Sequence, residues 1–278
     1  MAYLGLRKPI IGKMNINGGY DEPFACGKAV GITVTPNYAE ASLYGDDILA
    51  EYDKSFSYAE ITLNTTSLPV VAHEVMFGHV RGNNGAEIMQ NANDEQNYVG
   101  MGWVSVEKVD GVKKYVGNFI CKTKFSEPSE DYSTKGENIE YKTPSLSGRA
   151  AAMDDGLWKC FDVFEDERGA LNYVYGKFGK KLGSLTVQST EGDNVGETQV
   201  TVSPQKEGTN LYFYKAGANV TLPAYHEVCN GTTGWTAWDG SQALFANTGD
   251  KMVIVEVTAD DYCAIKAGET VVASKVEV

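Results

Sequence analysis

The feature that most constrains the fold is a repeated alternation of apolar and polar residues along much of the chain. Val30, Ile32 and Val34 alternate with small or polar residues, and a second alternating run covers residues 56–63. A period of two sends successive side chains to opposite faces of a strand, whereas a helix repeats every 3.6 residues. The chain is therefore predicted to be mainly β.

The stretch between these two strands is polar and acidic. Residues 39–56 include Asp46, Asp47, Glu51 and Asp53, and their apolar positions are too broken in pattern for a helix. The stretch is also too long for a tight turn. We interpret it as a projecting loop or hairpin.

A second pair of alternating runs predicts a hairpin. Residues 98–109 and 112–125 both alternate, and Asp110 and Gly111 separate them. Both residue types tolerate positive φ, which the type I′ turn of a two-residue hairpin requires. These two strands are expected to anchor the main sheet.

One short helix is predicted to flank the sheet. Ser67 is expected to cap it, Pro69 fits its first turn and Gly78 ends it. Its apolar face contains Leu68, Val71, Ala72, Val75 and Met76. Such a face indicates a helix that packs on a sheet.

The residues after the predicted hairpin complete one domain. A strand is predicted through residues 139–143, where Pro144 interrupts it. Residues 169–183, which contain several glycines, are interpreted as a tail and linker. We place the domain boundary near Lys180.

Two domains are expected, because 278 residues exceed the usual size of one. The first covers residues 1–180. In residues 181–278, short strand patterns separated by turn residues predict an immunoglobulin-like β-sandwich.

Charge and cysteine usage restrict the function. A formal net charge of −13 argues against tight, sequence-independent binding of nucleic acid, because such binding needs Lys and Arg to displace phosphate counterions. No segment approaches the roughly 20 apolar residues of a membrane span. The cysteines are far apart and are interpreted as buried thiols of a protein that stays in a reducing cytoplasm or leaves it only by lysis. They are Cys26, Cys121, Cys160, Cys229 and Cys263.

No pattern specifies a catalytic site, and the protein is predicted not to be an enzyme and to need no cofactor or metal. The run from His73 to His79 begins like a zinc-protease helix, but its histidines are six residues apart, so they cannot share a helix face as a four-residue spacing would. They are interpreted as partly exposed helix histidines, and His226 has no sequence neighbours with which to bind a metal. Pairs of adjacent acids are interpreted as solvated turns rather than glycosidase carboxylates. These pairs are at residues 46–47, 154–155 and 260–261.

Two tryptophans in the second domain allow two interpretations. Trp235 and Trp238 lie in a glycine-rich, polar segment. If exposed, they would form a surface contact or stack weakly on glycans. If buried, they belong to the core of the sandwich. A carbohydrate-binding or adhesion protein is therefore the alternative function.

Several segments of the first domain resemble the phi13-type major tail proteins of long-tailed phages. They occur in the same order and together span most of residues 1–180. They are residues 27–56, the helix ending at residues 77–79, residues 98–103 with the hairpin that follows, and residues 124–148.

The resemblance implies a tail tube fold, a β-sandwich or split barrel with one flanking α-helix. Such subunits form hexameric rings that stack into a hollow tube for DNA ejection, within a virion tail assembled in the bacterial cytoplasm. The family's extended loop, which bridges subunits and rings, corresponds to residues 39–56, with Asp46, Asp47, Glu51 and Asp53 as its charged positions. Implied partners are further copies, other tail proteins at the tube ends, a tape measure protein inside the tube, and genomic DNA in transit without specific binding.

The acidic composition suits such a conduit. Because basic walls would bind DNA, an acidic lumen that repels the duplex over a screening length of roughly 8 Å is the expected arrangement. The second domain resembles β-sandwich decorations that some tail proteins carry outside the tube, and it is expected to be dispensable for polymerisation.

Overall fold

A computed structural model describes residues 2–82, 87–109, 111–130 and 143–277. The chain divides into two compact units, Met1–Gly179 and Lys180–Val278. Both units are built mainly from strands, so the predicted fold class, mainly β, is confirmed.

The first unit contains ten strands and two helices in the part of the chain that the structure describes. The strands are β1 (Ala2–Lys13), β2 (Phe24–Ala25), β3 (Ala29–Gly45), β4 (Ile48–Thr65), β5 (Val80–Arg81), β6 (Ile88–Met89), β7 (Val99–Val109), β8 (Val112–Phe125), β9 (Ser145–Ala151) and β10 (Lys159–Phe164). The helices are α1 (Val70–Phe77) and α2 (Glu167–Lys177).

Eight of these strands form one antiparallel sheet in the order β2-β1-β7-β8-β9-β4-β3, and β10 also pairs with β8. Strands β1 and β3, which lie near opposite ends of this order, also contact each other. The sheet must therefore curl, and its buried cluster includes Ile11 of β1, Met101 of β7 and Leu63 of β4. A curled sheet is consistent with the predicted β-sandwich or split barrel, whereas the second helix, α2, corrects the prediction of one flanking helix.

The predicted hairpin of residues 98–125 is confirmed as β7 paired with β8. Gly111 has a φ of 85°, as its place in a tight turn requires. Asp110 lies outside the described residues, so the turn type stays a prediction. Ile139 and Tyr141 of the predicted strand also lie outside them, and a strand, β9, begins directly after Pro144.

Helix α1 is confirmed, but its predicted cap is wrong. The N-cap is Pro69, which has no side-chain hydrogen-bond acceptor, and the helix ends as predicted at Gly78, with a φ of 76°. Ala72, Met76 and Phe77 are buried in the core of the curled sheet. Packing therefore stabilises this short helix in place of a side-chain cap.

Helix α2 corrects the interpretation of residues 169–183 as a tail and linker. Its N-cap Asp166 accepts a hydrogen bond of 2.7 Å from the backbone N–H of Gly169. Its buried residues are Ala170, Leu171, Val174 and Tyr175. Burial of this face against β7 and β8 outweighs the low helix propensity of the glycines.

Gly117 on β8 allows α2 to approach the sheet closely. A Cβ atom at Gly117 would lie 2.7 Å from the backbone oxygen of Ala170, whereas nothing lies within 4 Å of one at Gly176. We therefore expect Gly117→Ala to destabilise this unit by about 1–3 kcal/mol through overpacking. The control, Gly176→Ala, should stabilise it by up to about 1 kcal/mol through helix propensity. Urea unfolding followed by circular dichroism measures both, and equal effects would contradict the close packing.

The second unit is the predicted immunoglobulin-like β-sandwich. Its strands are β11 (Gly183–Ser184), β12 (Thr186–Glu191), β13 (Glu197–Ser203), β14 (Leu211–Gly217), β15 (Thr236–Trp238), β16 (Leu244–Phe245), β17 (Lys251–Val257) and β18 (Ala264–Val271). A five-stranded sheet, β11-β18-β17-β14-β15, is accompanied by a three-stranded sheet, β12-β13-β16. Strand β11 pairs in parallel with β18, and the other pairs are antiparallel.

Strand β17 is buried on both faces. Met252 and Ile254 lie in the core that includes Val200 of the three-stranded sheet. Val253 and Val255 face the other way, into a second cluster. That cluster includes residues of the long segment between β14 and β15, so this segment covers the outer face of the five-stranded sheet.

Candidate assembly surface

The candidate site is the outer half of the β3–β4 hairpin, residues 38–56, which we call the arm. The two strands pair antiparallel from Tyr38 with Phe56 to Gly45 with Ile48. Asp46 and Asp47, with φ values of 51° and 63°, form the turn. At about 3.3 Å per residue the arm is roughly 25 Å long. The prediction of a projecting loop or hairpin is confirmed in its hairpin form.

The base of the arm is fixed by aromatic and charged contacts. The ring of Phe56 stacks on Trp158 with 4.8 Å between centroids, and it meets Tyr38 edge-on at 6.2 Å. Lys54 Nζ lies 2.6 Å from Glu40 Oε1 and 4.7 Å from the centre of the Tyr38 ring. The hydrogen bond between Lys54 and Glu40 lowers the pKa of the Glu40 carboxyl and raises the pKa of the Lys54 ammonium.

The arm has two chemically different faces, because side chains that are directly paired across strands share a face. The pairs Ser42 with Tyr52 and Tyr44 with Leu49 lie on the face of Phe56. We call this the aromatic face. The residues of the opposite face, which includes two acids, are Ala39, Ala41, Leu43, Ile48, Glu51, Asp53 and Ser55.

Every described side chain from residue 38 to residue 55 is exposed. Tyr44 and Ile48 near the tip are 68% and 70% exposed, and Leu43 and Leu49 are exposed as well. A two-stranded hairpin that packs on neither face is at best marginally stable in water. An exposed run of large apolar residues is also typical of an interaction surface.

The four acidic residues predicted for the bridging loop all lie on the arm. Asp46 and Asp47 are at its tip, and Glu51 and Asp53 point from the face opposite the aromatic one. All four are exposed. Their part in contacts between subunits stays a prediction.

The possible surface contact through Trp235 and Trp238 is wrong. Each side chain is only 6% exposed, and the two lie in different clusters, on opposite faces of the five-stranded sheet. The indole N–H of Trp238 donates to the backbone oxygen of Gln242 at 2.8 Å. Because both are core residues, the carbohydrate-binding alternative loses the feature that suggested it.

The interpretation of His79 as a partly exposed helix residue is also wrong. It follows the end of α1 and is 4% exposed. Its Nδ1 lies 3.3 Å from His73 Nδ1, and its Nε2 lies 2.9 Å from Glu127 Oε1. Burial and the neighbouring His79 lower the pKa of His73. The cluster links α1 to the segment after β8.

This cluster predicts a pH dependence of stability. Because the pKa of His73 is lower in the folded than in the unfolded protein, the stabilisation present above about pH 6.5 should be lost as the pH falls towards the folded value. Between about pH 7.5 and about pH 5.5, the unfolding midpoint should therefore decrease less for His73→Gln than for the wild type. Denaturant unfolding at both pH values measures this. All other titrating groups are the same in the two proteins. Equal decreases of the midpoint in both would therefore show that His73 does not cause the pH dependence.

A cleft of about 710 Å³ lies inside the curled sheet, between β3 and the strands β1, β7, β8 and β10. Its polar residues include Ser105, Glu107 and Asn118, which are buried. The Ser105 hydroxyl donates to Glu107 Oε1 at 2.9 Å, and Asn118 Nδ2 donates to Ser105 Oγ at 3.1 Å. Burial lowers the pKa of Lys159 at the same cleft. Because these groups satisfy one another, they fit a structural network.

The burial of the cysteines agrees only in part with the sequence interpretation. Cys160 is half-buried, whereas the other four cysteines are buried, and no disulfide joins any of the five, all of which are described.

Among the described residues, neither helix is long and apolar enough to cross a membrane.

Comparisons with known proteins give no family. No family model and no curated protein matches the chain. A solved structure of domains 7, 8 and 9 of the S-layer protein SbsC is similar with 12% sequence identity, over 93% of this chain and 69% of that chain, at a TM-score of 0.29. A score this low carries no argument about function.

Proposed function

We propose that this protein is a structural subunit of a phage tail tube, in which copies of the first unit form hexameric rings that stack into a hollow conduit. The observation that carries the proposal is the arm. It exposes apolar side chains on both faces, and such a hairpin is stabilised only when it packs against another surface. A second copy of the same chain supplies that surface.

Open sheet edges support the same proposal. Within the described residues, the path of the large sheet ends at β3 on one side and at β2 and β1 on the other. Strand β3 spans 17 residues, and a long unpaired edge is a template for pairing with another chain. Sheet pairing between neighbours in a closed ring satisfies such edges, and stacking the rings generates a filament.

The remaining roles follow from the proposed tube. Other tail proteins bind its ends, a tape measure protein occupies its lumen, and DNA passes through without specific binding. The net charge of −13 supports such passage, because an acidic wall does not retain the duplex. A lumen lined mainly by Lys and Arg would contradict this part of the proposal.

Electron microscopy of the concentrated, purified protein tests the assembly. The expected result is regular hollow filaments with hexameric symmetry in cross-section. A protein that stays monomeric at every concentration and salt condition tried would overturn the proposal.

A further inference from the structure

Two segments at one end of the second unit are held together by backbone hydrogen bonds. The N–H of His226 donates to the oxygen of Ala264 at 2.8 Å, and the N–H of Ala264 donates to the oxygen of Glu227 at 2.9 Å. The N–H of Cys229 donates to the oxygen of Tyr262 at 2.9 Å. The segments around residues 226 and 263 are therefore fixed in register with each other.

This register brings together three side chains of different chemistry. A ring nitrogen of His226, a carboxylate oxygen of Asp261 and the sulfur of Cys263 all lie within 4.8 Å of one another. Cys263 is buried, His226 is half-buried and Asp261 is exposed. Asp261 therefore leaves the cluster open to solvent on one side, which gives an ion a route of entry.

Thr258 braces the segment that carries Asp261 and Cys263. The N–H of Cys263 donates to Thr258 Oγ at 2.9 Å, and the Thr258 hydroxyl donates to Asp261 Oδ1. The side chains of Asp261 and Cys263 are therefore held close to each other.

We propose that His226, Asp261 and Cys263 form a binding site for Zn²⁺. Imidazole nitrogen, thiolate sulfur and carboxylate oxygen are the zinc ligands of proteins, whereas Mg²⁺ and Ca²⁺ require oxygen ligands. Zinc–ligand bonds of 2.0–2.3 Å place tetrahedral ligand atoms about 3.3–3.8 Å apart, so small side-chain rotations close the site. Water fills the fourth position, and the Cys263 proton is released to solvent on binding.

Zinc binding joins the two segments. The site lies beside the cluster on the outer face of the five-stranded sheet, which contains Cys229 and Tyr262. Because the ion binds only the folded arrangement, it stabilises the second unit. This inference is independent of the tail tube proposal.

Cobalt substitution tests the site directly. The full chain, stripped with a chelator and kept reduced, is titrated with Co²⁺ and then with Zn²⁺. We expect one equivalent of Co²⁺ to produce a thiolate-to-cobalt charge-transfer band, which Zn²⁺ then removes. At a zinc concentration about 100 times the dissociation constant, the melting temperature of the second unit should rise by roughly 10 °C.

Variants identify the ligands. Cys263→Ser should abolish the band, and His226→Ala and Asp261→Asn should each weaken binding by more than about a hundredfold, since even residues that only support a ligand contribute 10–100-fold. The matched controls Asp260→Asn and Cys160→Ser should bind as the wild type does.

Three results would overturn the proposal. They are the absence of the band in the wild type at excess Co²⁺, its persistence in Cys263→Ser, and wild-type affinity in Asp261→Asn. Asp261 is exposed, so its variant remains informative if the variant of the buried Cys263 does not fold. Circular dichroism of each metal-free protein checks folding.

Discussion

Replacing Tyr44 and Leu49 together with lysine is expected to abolish filament formation while leaving the melting temperature of the protein unchanged. Both side chains lie on the aromatic face of the arm, and both are exposed, so folding loses no buried contact. In the proposed assembly they are buried against a neighbouring copy. Each such burial contributes roughly 1.5–3 kcal/mol, and an unpaired lysine at the contact adds a desolvation cost.

Losing the burial free energy of both side chains at each contact should raise the dissociation constant between copies by more than about a hundredfold. Sedimentation velocity and electron microscopy of the variant and the wild type measure this. The matched control is Phe245→Lys, which changes an equally exposed apolar residue, 69% exposed, in the second unit. Filaments of the double variant at the wild-type threshold concentration would show that the arm is not the assembly surface.

Local alternation was sufficient to predict the strands, because each half-buried strand carries its own period-two signal. The arm is predicted on other grounds, because residues 39–56 lack a helical period, are too long for a tight turn and join two predicted strands. The register at the tip is not predictable, because one extra residue of β4 lies between the pairs Leu43–Glu51 and Tyr44–Leu49 and brings Leu49, rather than Ile48, to the aromatic face.

The predictions that the structure contradicts depend on contacts between residues that are distant in sequence, which local alternation does not reveal. The glycines of residues 169–183 have low helix propensity and indicate a linker, and only packing against Gly117 and its neighbours makes α2 a helix. The burial of His79 depends on Glu127 and His73. The cluster of His226, Asp261 and Cys263 is not predictable from sequence, because 34 residues separate its first two members.

The largest effect on stability is expected from Lys266→Met in the second unit. Glu256 on β17 is completely buried and lies directly opposite Lys266 on β18. Its Oε1 accepts hydrogen bonds of 2.8 Å from the N–H of Glu207 and 2.7 Å from Asn210 Nδ2. Lys266 Nζ lies 3.2 Å from Glu256 Oε2. Without that ammonium, a buried carboxylate lacks its counter-charge, and we expect a loss of about 2–3 kcal/mol.

Two variants separate this buried pair from ordinary surface pairing. Lys251, also on β17, forms an ion pair of 2.7 Å with Glu269, but both side chains are more than one-third exposed, so Lys251→Met should cost less than about 1 kcal/mol. Combining Glu256→Gln with Lys266→Met replaces the buried carboxylate by a neutral amide. The amide oxygen can still accept the hydrogen bonds from Glu207 and Asn210. The double variant should therefore recover part of the lost stability in urea unfolding. If it were less stable than Lys266→Met alone, the loss would arise from packing of the lysine side chain rather than from an uncompensated buried charge.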